Sequence, residues 1–433
     1  MLVDVTAVLT SSTLDAVAEA FSMPAAAPVV ISAPAVPTAD QLAWARATDP
    51  QTPVTDPASA APLTGYELLA ARPSASVVAS WWATADEAAR ALLLTGSPQA
   101  VGNLEGLPYG VRDDANREAL AQSLADVEAR LADPATGRAA AADLRAQLHM
   151  LQQVAEAIET GDSGLPRALI GFNAGDGGRA VIAVGDLRSA EYVTFLVPGM
   201  FYSVDNEIGS WAGAADALAV DQARWLERLT PAQHGPAAAG VATVAWIGYQ
   251  TPTVADVASL DLAREGRDAL TASLRGLGAV RAGEAPYLSV LAHSYGATAT
   301  LLALQENDVT IDALAMVGSP GSPADHVGEL KVRDGNVWVA DAALDPVATA
   351  GVFGSQPLSA AYGARHFGVD GAVDPITGRT LAGSVGHVDY FTAGSESFRN
   401  MALIALGREG YVLDPQGSYA AAPRAHGSGT TIR

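Results

Sequence analysis

The sequence predicts a doubly wound, mostly parallel α/β sheet preceded by a helical region. Three observations carry this. From about residue 167 onward, short apolar runs with glycine- or aspartate-marked exits recur, as buried parallel strands do. Helical stretches separate those runs, the alternation expected of a sheet covered on both faces. Before residue 165 the apolar residues recur at helical spacing instead.

In the front region, Trp81–Thr95 reads as a helix, with Ser80 as N-cap and Gly96 as its stop. Asp113–Asp133 carries Leu120, Leu124, Val127 and Leu131 along one face. Pro134 and Gly137 break that helix. Leu144, Leu148, Leu151, Val154 and Ile158 then line one face of a second, so the pair predicts an antiparallel helical hairpin. Residues 24–65, rich in Pro, Ala, Thr and Asp, read as extended connections.

The sheet begins with Arg167–Asn173 and Arg179–Val184, which flank Ala174-Gly175-Asp176-Gly177-Gly178, a strong hairpin signal. Tyr192–Val197, Val241–Ile247, Tyr287–Ala292, Ala313–Val317 and Asn336–Ala340 follow as strands. Val257–Leu274 is one of the intervening helices, and Ser395–Leu406 closes the pattern as a terminal helix. The expected division is a helical region over 1–165, a catalytic α/β domain over 166–410 and a flexible tail over 411–433. The tail is rich in Gly, Ala, Ser and Pro and has no period.

Composition narrows the function. The chain has 433 residues and a formal net charge of −22. Such an acidic balance opposes binding to nucleic acid or to an anionic membrane surface. There is no cysteine, which excludes disulfides, thiolate metal sites and cysteine nucleophiles. No H-E-x-x-H or other tight metal-ligand spacing occurs, so neither a metal nor a cofactor is expected. The first basic residue is Arg46, so there is no charged segment ahead of an apolar stretch to make a standard secretory signal. Pro24–Pro37 is apolar but broken by prolines and too short to span a bilayer. The expected location is the cytoplasm, or outside it by a non-standard export route.

The chemistry gathers where strands end. In an open α/β sheet, function collects at the carboxyl edge. Tyr287–Ala292 runs into His293-Ser294-Tyr295-Gly296 and then a helix-forming segment. This is the outline of a nucleophile elbow, with Ala292 standing where glycine is more usual. Two strands later come Asp341 and Asp345-Pro346, and then Gly386-His387 in a loop before the terminal helix. The order Ser…Asp…His is the one used by α/β-hydrolases. A serine hydroxyl needs a base, the role expected of His387. The base needs an acid to hold its tautomer, the role expected of Asp345. Asp345 is preferred to Asp341 because a following proline favours extended or turn backbone. His293 adjoins Ser294, and adjacent side chains diverge, so it is not expected to serve as that serine's base. Backbone N–H groups of Tyr295 and Met200, the latter in the Val197-Pro198-Gly199-Met200 loop, are the expected oxyanion donors. Phe201, Tyr202 and Tyr249 are candidates for the pocket wall, whereas Trp246 reads as core.

On these motifs the chain resembles a bacterial α/β-hydrolase family of formerly unassigned function, found mainly in high-GC bacteria. In that family a helical N-terminal region precedes the hydrolase core. The matching pieces are Asn103-Leu104-Glu105-Gly106-Leu107-Pro108, Arg112-Asp113-Asp114-Ala115-Asn116-Arg117, Val197–Met200, Trp246-Ile247-Gly248-Tyr249, His293–Gly296, Val317-Gly318-Ser319-Pro320-Gly321, Asp345-Pro346, Gly386-His387 and Phe398-Arg399-Asn400. They span roughly residues 80–407. The resemblance implies the hydrolase fold and a triad of Ser294, Asp345 and His387, and leaves the substrate open. The expected activity is hydrolysis of a small-molecule carboxylic ester through an acyl-enzyme. Acyl transfer on the same triad is one alternative. Another is a secretion-associated protein whose N-terminal helices bind a protein partner.

Overall fold

A computed structural model describes residues 64–175, 177–200, 202–229, 240–253, 257–347 and 351–420. The expectations for Asp176 and Phe201, for residues 24–63 and for residues 421–433 therefore lie outside the described residues.

Among the described residues six helices come first: α1 (Gly65–Ala71), α2 (Ala75–Thr84), α3 (Glu87–Leu94), α4 (Pro98–Gly102), α5 (Tyr109–Ala132) and α6 (Arg138–Ala157). The strands are β1 (Arg167–Asn173), β2 (Arg179–Val184), β3 (Tyr192–Val197), β4 (Val241–Ile247), β5 (Tyr287–His293), β6 (Ala313–Val317), β7 (Val337–Ala340) and β8 (Arg365–His366). Between and after them run α7 (Val204–Leu229), α8 (Asp261–Arg281), α9 (Tyr295–Glu306) and α10 (Glu396–Ile404). The eight strands form one sheet in the order β1-β2-β4-β3-β5-β6-β7-β8. The two pairings made by β2 are antiparallel, and every pairing from β4 to β8 is parallel. This is the mostly parallel α/β-hydrolase sheet.

Both faces of the sheet are covered. One core packs α5, α6, α7 and α10 onto the sheet, with Leu120, Leu151, Trp211, Ile208 and Phe398 among its members. The other packs α8 and α9 through Leu270, Leu277, Leu301 and Leu304. Leu68, Val78, Leu93, Val101, Leu104 and Leu107 form a small third cluster beneath α1–α4. Because α5 and α6 share a core with β1 and β2, the division expected at residue 165 marks a change of pattern and not a gap between two cores.

Two expectations need correction. The helix expected over 81–95 is two helices, with Ser80 inside the first. Asp86 accepts the Ala89 N–H at 2.7 Å and so starts a new helix. The flexible tail does not begin at 411. Val412 and Leu413 are fully buried. Asn400 accepts the Leu413 N–H at 3.0 Å, and Arg399 donates to the Tyr411 carbonyl at 2.6 Å. Residues 411–413 thus belong to the packed body, and 414–420 turn back onto them, with the Ala420 N–H on the Val412 carbonyl at 2.8 Å.

The outer edge of β1 explains the motif around residues 103–117. An edge strand presents unpaired N–H and C=O groups, which invite another chain. Here side chains take the place of a neighbouring strand. Asn103 accepts the Phe172 N–H at 3.0 Å and donates to its carbonyl at 2.7 Å. Arg112 donates to the Ile170 carbonyl. Asp113 accepts the Leu169 N–H at 2.6 Å, and Asn116 donates to the Leu169 carbonyl at 2.8 Å. Arg117 reaches the Arg167 carbonyl at 2.9 Å. Among the described residues no helix is long and apolar enough to cross a membrane.

Asn116 is fully buried and also donates to the Gly102 carbonyl at 3.0 Å. Truncation in Asn116→Ala removes the side-chain donor to the edge carbonyl of Leu169, while the Gly102 carbonyl keeps Arg112 Nε at 3.0 Å, and is expected to lower stability by about 2 kcal/mol in urea titration. The exposed control Glu118→Ala on the same helix is expected to stay within about 0.5 kcal/mol.

Candidate active site

The turn from β5 into α9 is tight. Ser294 holds φ 53° and ψ −130°, outside the ordinary regions for an L residue. It occupies the N-cap position of α9, yet its hydroxyl makes no cap bond to the helix. The hydroxyl instead lies 2.7 Å from His387 Nε2. The other ring nitrogen, Nδ1, lies 2.9 Å from both carboxylate oxygens of Asp345. The structure therefore brings Ser294, His387 and Asp345 together from three loops at the carboxyl edge of the sheet.

These groups are shielded. Ser294 is 3% exposed, His387 0% and Asp345 6%. Burial works against the charge on Asp345. The His387 ring, the Tyr390 hydroxyl and the Val347 N–H more than offset it, so the carboxyl titrates below its ordinary range. The Val347 N–H reaches Asp345 Oδ1 at 2.9 Å, closing the turn that the Asp-Pro pair predicts. Asp341 is only half-buried, and its carboxyl is pushed up, first by burial and then by the Asp345 charge.

Tyr390 is a partner that the sequence reading missed. It is fully buried and donates to Asp345 Oδ2 at 2.5 Å while accepting the Ala342 N–H at 2.8 Å. Its place three residues after His387 was the available signal. Gly318 is another. It sits at φ +59°, and a Cβ there would stand 2.8 Å from both Asp345 Oδ2 and His387 Cε1. Gly318 thus leaves the space in which the Asp345 carboxylate and the His387 ring meet.

The loop after β3 lies directly against the elbow. A Cβ on Gly199 would fall 2.4 Å from Ser294 Cβ, so only glycine permits this approach. Met200 follows at 2% exposure, and Tyr295 opens α9 on the other side of Ser294. The first N–H groups of a helix have no intrahelical partner and carry its positive end.

Tyr249 differs from expectation. It is 1% exposed, stacks on Trp246 and donates its hydroxyl to the Pro198 carbonyl at 2.8 Å. It braces the loop from behind and does not form a pocket wall. Trp246 is core, as read. Tyr202 is half-buried, with its ring edge-on to His293 at 5.6 Å. His293 does not face the Ser294 hydroxyl. Its Nε2 lies 2.7 Å from the His387 main-chain carbonyl. Among the described residues no group of three His, Cys, Asp or Glu side chains stands close enough to hold a metal ion.

An eight-stranded sheet in this order, with a strained serine after the fifth strand, defines an α/β hydrolase. The chain belongs to that family: a family model described as alpha/beta hydrolase matches residues 174–355. The uncharacterized protein Mb0988c of Mycobacterium bovis is 31% identical over 183 residues, covering 41% of this chain and 67% of that protein. The uncharacterized protein Rv2079 of Mycobacterium tuberculosis is 28% identical over 371 residues, 76% of this chain. The chain spans about half, 55%, of the length of that relative. A looser likeness links it to a solved esterase/lipase from an uncultured bacterium, with TM-score 0.33 and 10% identity over 67% of this chain and 97% of that one. A dienelactone hydrolase from Anabaena variabilis gives TM-score 0.29 and 14% identity over 44% of this chain and 83% of that one.

His293 sets an acid limit on stability. Burial, and then the neighbouring His387, push its pKa down from 6.5 to about 3. The unfolded chain therefore binds a proton that the folded chain refuses. The contribution is fully present above about pH 6.5 and is lost progressively as pH falls toward 3, at up to about 1.4 kcal/mol per pH unit. Urea titrations from pH 4 to 6 are expected to show a shallower loss in His293→Gln than in the wild type, by close to that slope.

Proposed function

We propose that this hydrolase cleaves carboxylic esters through an acyl-enzyme formed on Ser294. One observation carries the reading: Ser294 Oγ is 2.7 Å from one nitrogen of a buried imidazole whose other nitrogen is 2.9 Å from both oxygens of a buried carboxylate. Asp345 titrates low and accepts from Nδ1–H, which leaves the Nε2 lone pair for the serine proton. As Ser294 Oγ attacks the ester carbonyl, His387 takes that proton and Asp345 stabilises the resulting imidazolium. The carbonyl oxygen gains negative charge. The Met200 N–H, in the loop that lies against Ser294, and the Tyr295 N–H, at the start of α9, are the donors proposed for that oxygen. Collapse of the tetrahedral intermediate breaks the bond to the alkoxy group, which leaves as alcohol with the proton from His387. Water then repeats the sequence: His387 removes its proton, the acyl carbon is attacked, and Ser294 leaves with that proton.

In this reading residues 166–410 form the catalytic domain, and Tyr202 is the remaining described candidate for the pocket wall. The substrate is a small ester.

A panel of p-nitrophenyl esters with short to medium acyl chains is expected to be turned over by the wild type. Ser294→Ala is expected to lose at least about a thousandfold in kcat. Equal rates in the two proteins would sink the proposal. Tyr390→Phe removes one of the bonds that hold Asp345 and is expected to lower kcat about tenfold in the same assay, with KM little changed.

A further inference from the structure

His293 ends β5 and directly precedes the candidate nucleophile. It is 1% exposed. The Tyr202 and Phe391 rings stand edge-on to it at 5.6 and 6.2 Å, and the Tyr390 ring is tilted against it at 5.9 Å. Its Nε2 is 2.7 Å from the main-chain oxygen of His387. A carbonyl oxygen only accepts, so Nε2 carries the hydrogen and Nδ1 bears the lone pair. That Nδ1 is buried and has no hydrogen-bond partner among the described residues. An imidazole with an unmet buried acceptor is a poor filler, because a hydrocarbon ring or chain would occupy the same space without that penalty. What a hydrocarbon would not supply is the donor to His387.

Two of the hydrogen bonds on the loop that presents His387 lead to the elements carrying Asp345 and Ser294. On the acid side, the Gly386 N–H donates to the Ala343 carbonyl at 2.9 Å. On the nucleophile side, His293 supplies one to the His387 carbonyl. The base is thereby tied through its own main chain to each of the two elements it must serve.

We propose that His293 is a positioning residue: its Nε2–H grips the His387 main chain and so sets the distance from the imidazole to the Ser294 hydroxyl. The inference rests on the serine-hydrolase reading. His293 touches neither substrate nor the Ser294 hydroxyl in this role. The two rings are only 4.7 Å apart, and burial keeps His293 neutral, so the imidazolium formed on His387 meets no second cation.

The test compares His293→Leu, which loses the donor, with His293→Gln, whose side-chain N–H₂ keeps one at similar reach. Each is assayed for p-nitrophenyl ester turnover and for labelling of Ser294 by a fluorophosphonate, with circular dichroism as the folding control. His293→Leu is expected to lower kcat and the labelling rate by about 10- to 100-fold, with KM within about threefold, as a misplaced catalytic group does. His293→Gln is expected to recover to within about fivefold of the wild type. Wild-type rates in His293→Leu, or equal losses in both variants, would overturn the inference alone. An unlabelled, inactive wild type would overturn the serine-hydrolase reading and this inference with it. Should His293→Leu fail to fold, nitrogen-15 histidine spectra of the wild type decide. The Nε2–H tautomer at His293 supports the proposal and the Nδ1–H tautomer overturns it.

Discussion

Ser294 occupies a backbone conformation that costs on the order of 1–3 kcal/mol. Such a residue stays put only where its surroundings leave it no alternative. Its N–H is fixed to the Val317 carbonyl at 3.0 Å, which ties the turn to the neighbouring strand. The helix that follows is buried along most of its length. The Gly199 loop closes the remaining side at a distance that no other residue would permit. With the turn held in this way, the hydroxyl points out of the helix and toward the imidazole. The loops that carry Asp345 and His387 and the loop after β3 are all arranged around that one direction.

Those loops are held less by greasy contact than by side chains bonded to main chain. Tyr249 holds the Pro198 carbonyl, and Trp211 holds the Leu196 carbonyl at 3.0 Å. Tyr390 receives the Ala342 N–H while donating to Asp345. Hydrogen bonds are directional where dispersion is not. A layer built from them fixes orientation as well as depth, which an apolar core does not.

Much of this was legible in the sequence, for identifiable reasons. A parallel strand buried on both faces is apolar along most of its length, so β3 to β6 announce themselves. The tight elbow demands small residues, so Gly296 marks it. The strand exits then mark Asp345 and His387, the side chains that the structure brings to Ser294. What stayed hidden depends on tertiary partners. Tyr390 and Tyr249 are ordinary aromatics until their hydroxyls find carbonyls and carboxylates distant in sequence. The break at Asp86 is a contest between helix continuation and a cap, which apolar spacing does not register. Strand β8 is two residues long and carries no period. The ordered stretch over 411–420 is Gly- and Ser-rich, and only Asn400 and Arg399 show why it is held. The residues from Asn103 to Arg117 stood out by resemblance, and the bonds to β1 give them a physical reason.

That border of carboxamides, guanidinia and one carboxylate has a consequence for how the molecule keeps to itself. A hydrolase core cut free at its first strand would offer a bare ladder of donors and acceptors to the solvent. The nearest matching ladder is the same strand of another copy, and two such margins joined by a two-fold would merge their sheets. The front helices thus act as a selvedge that finishes the fabric, and this margin is closed by residues far from Ser294.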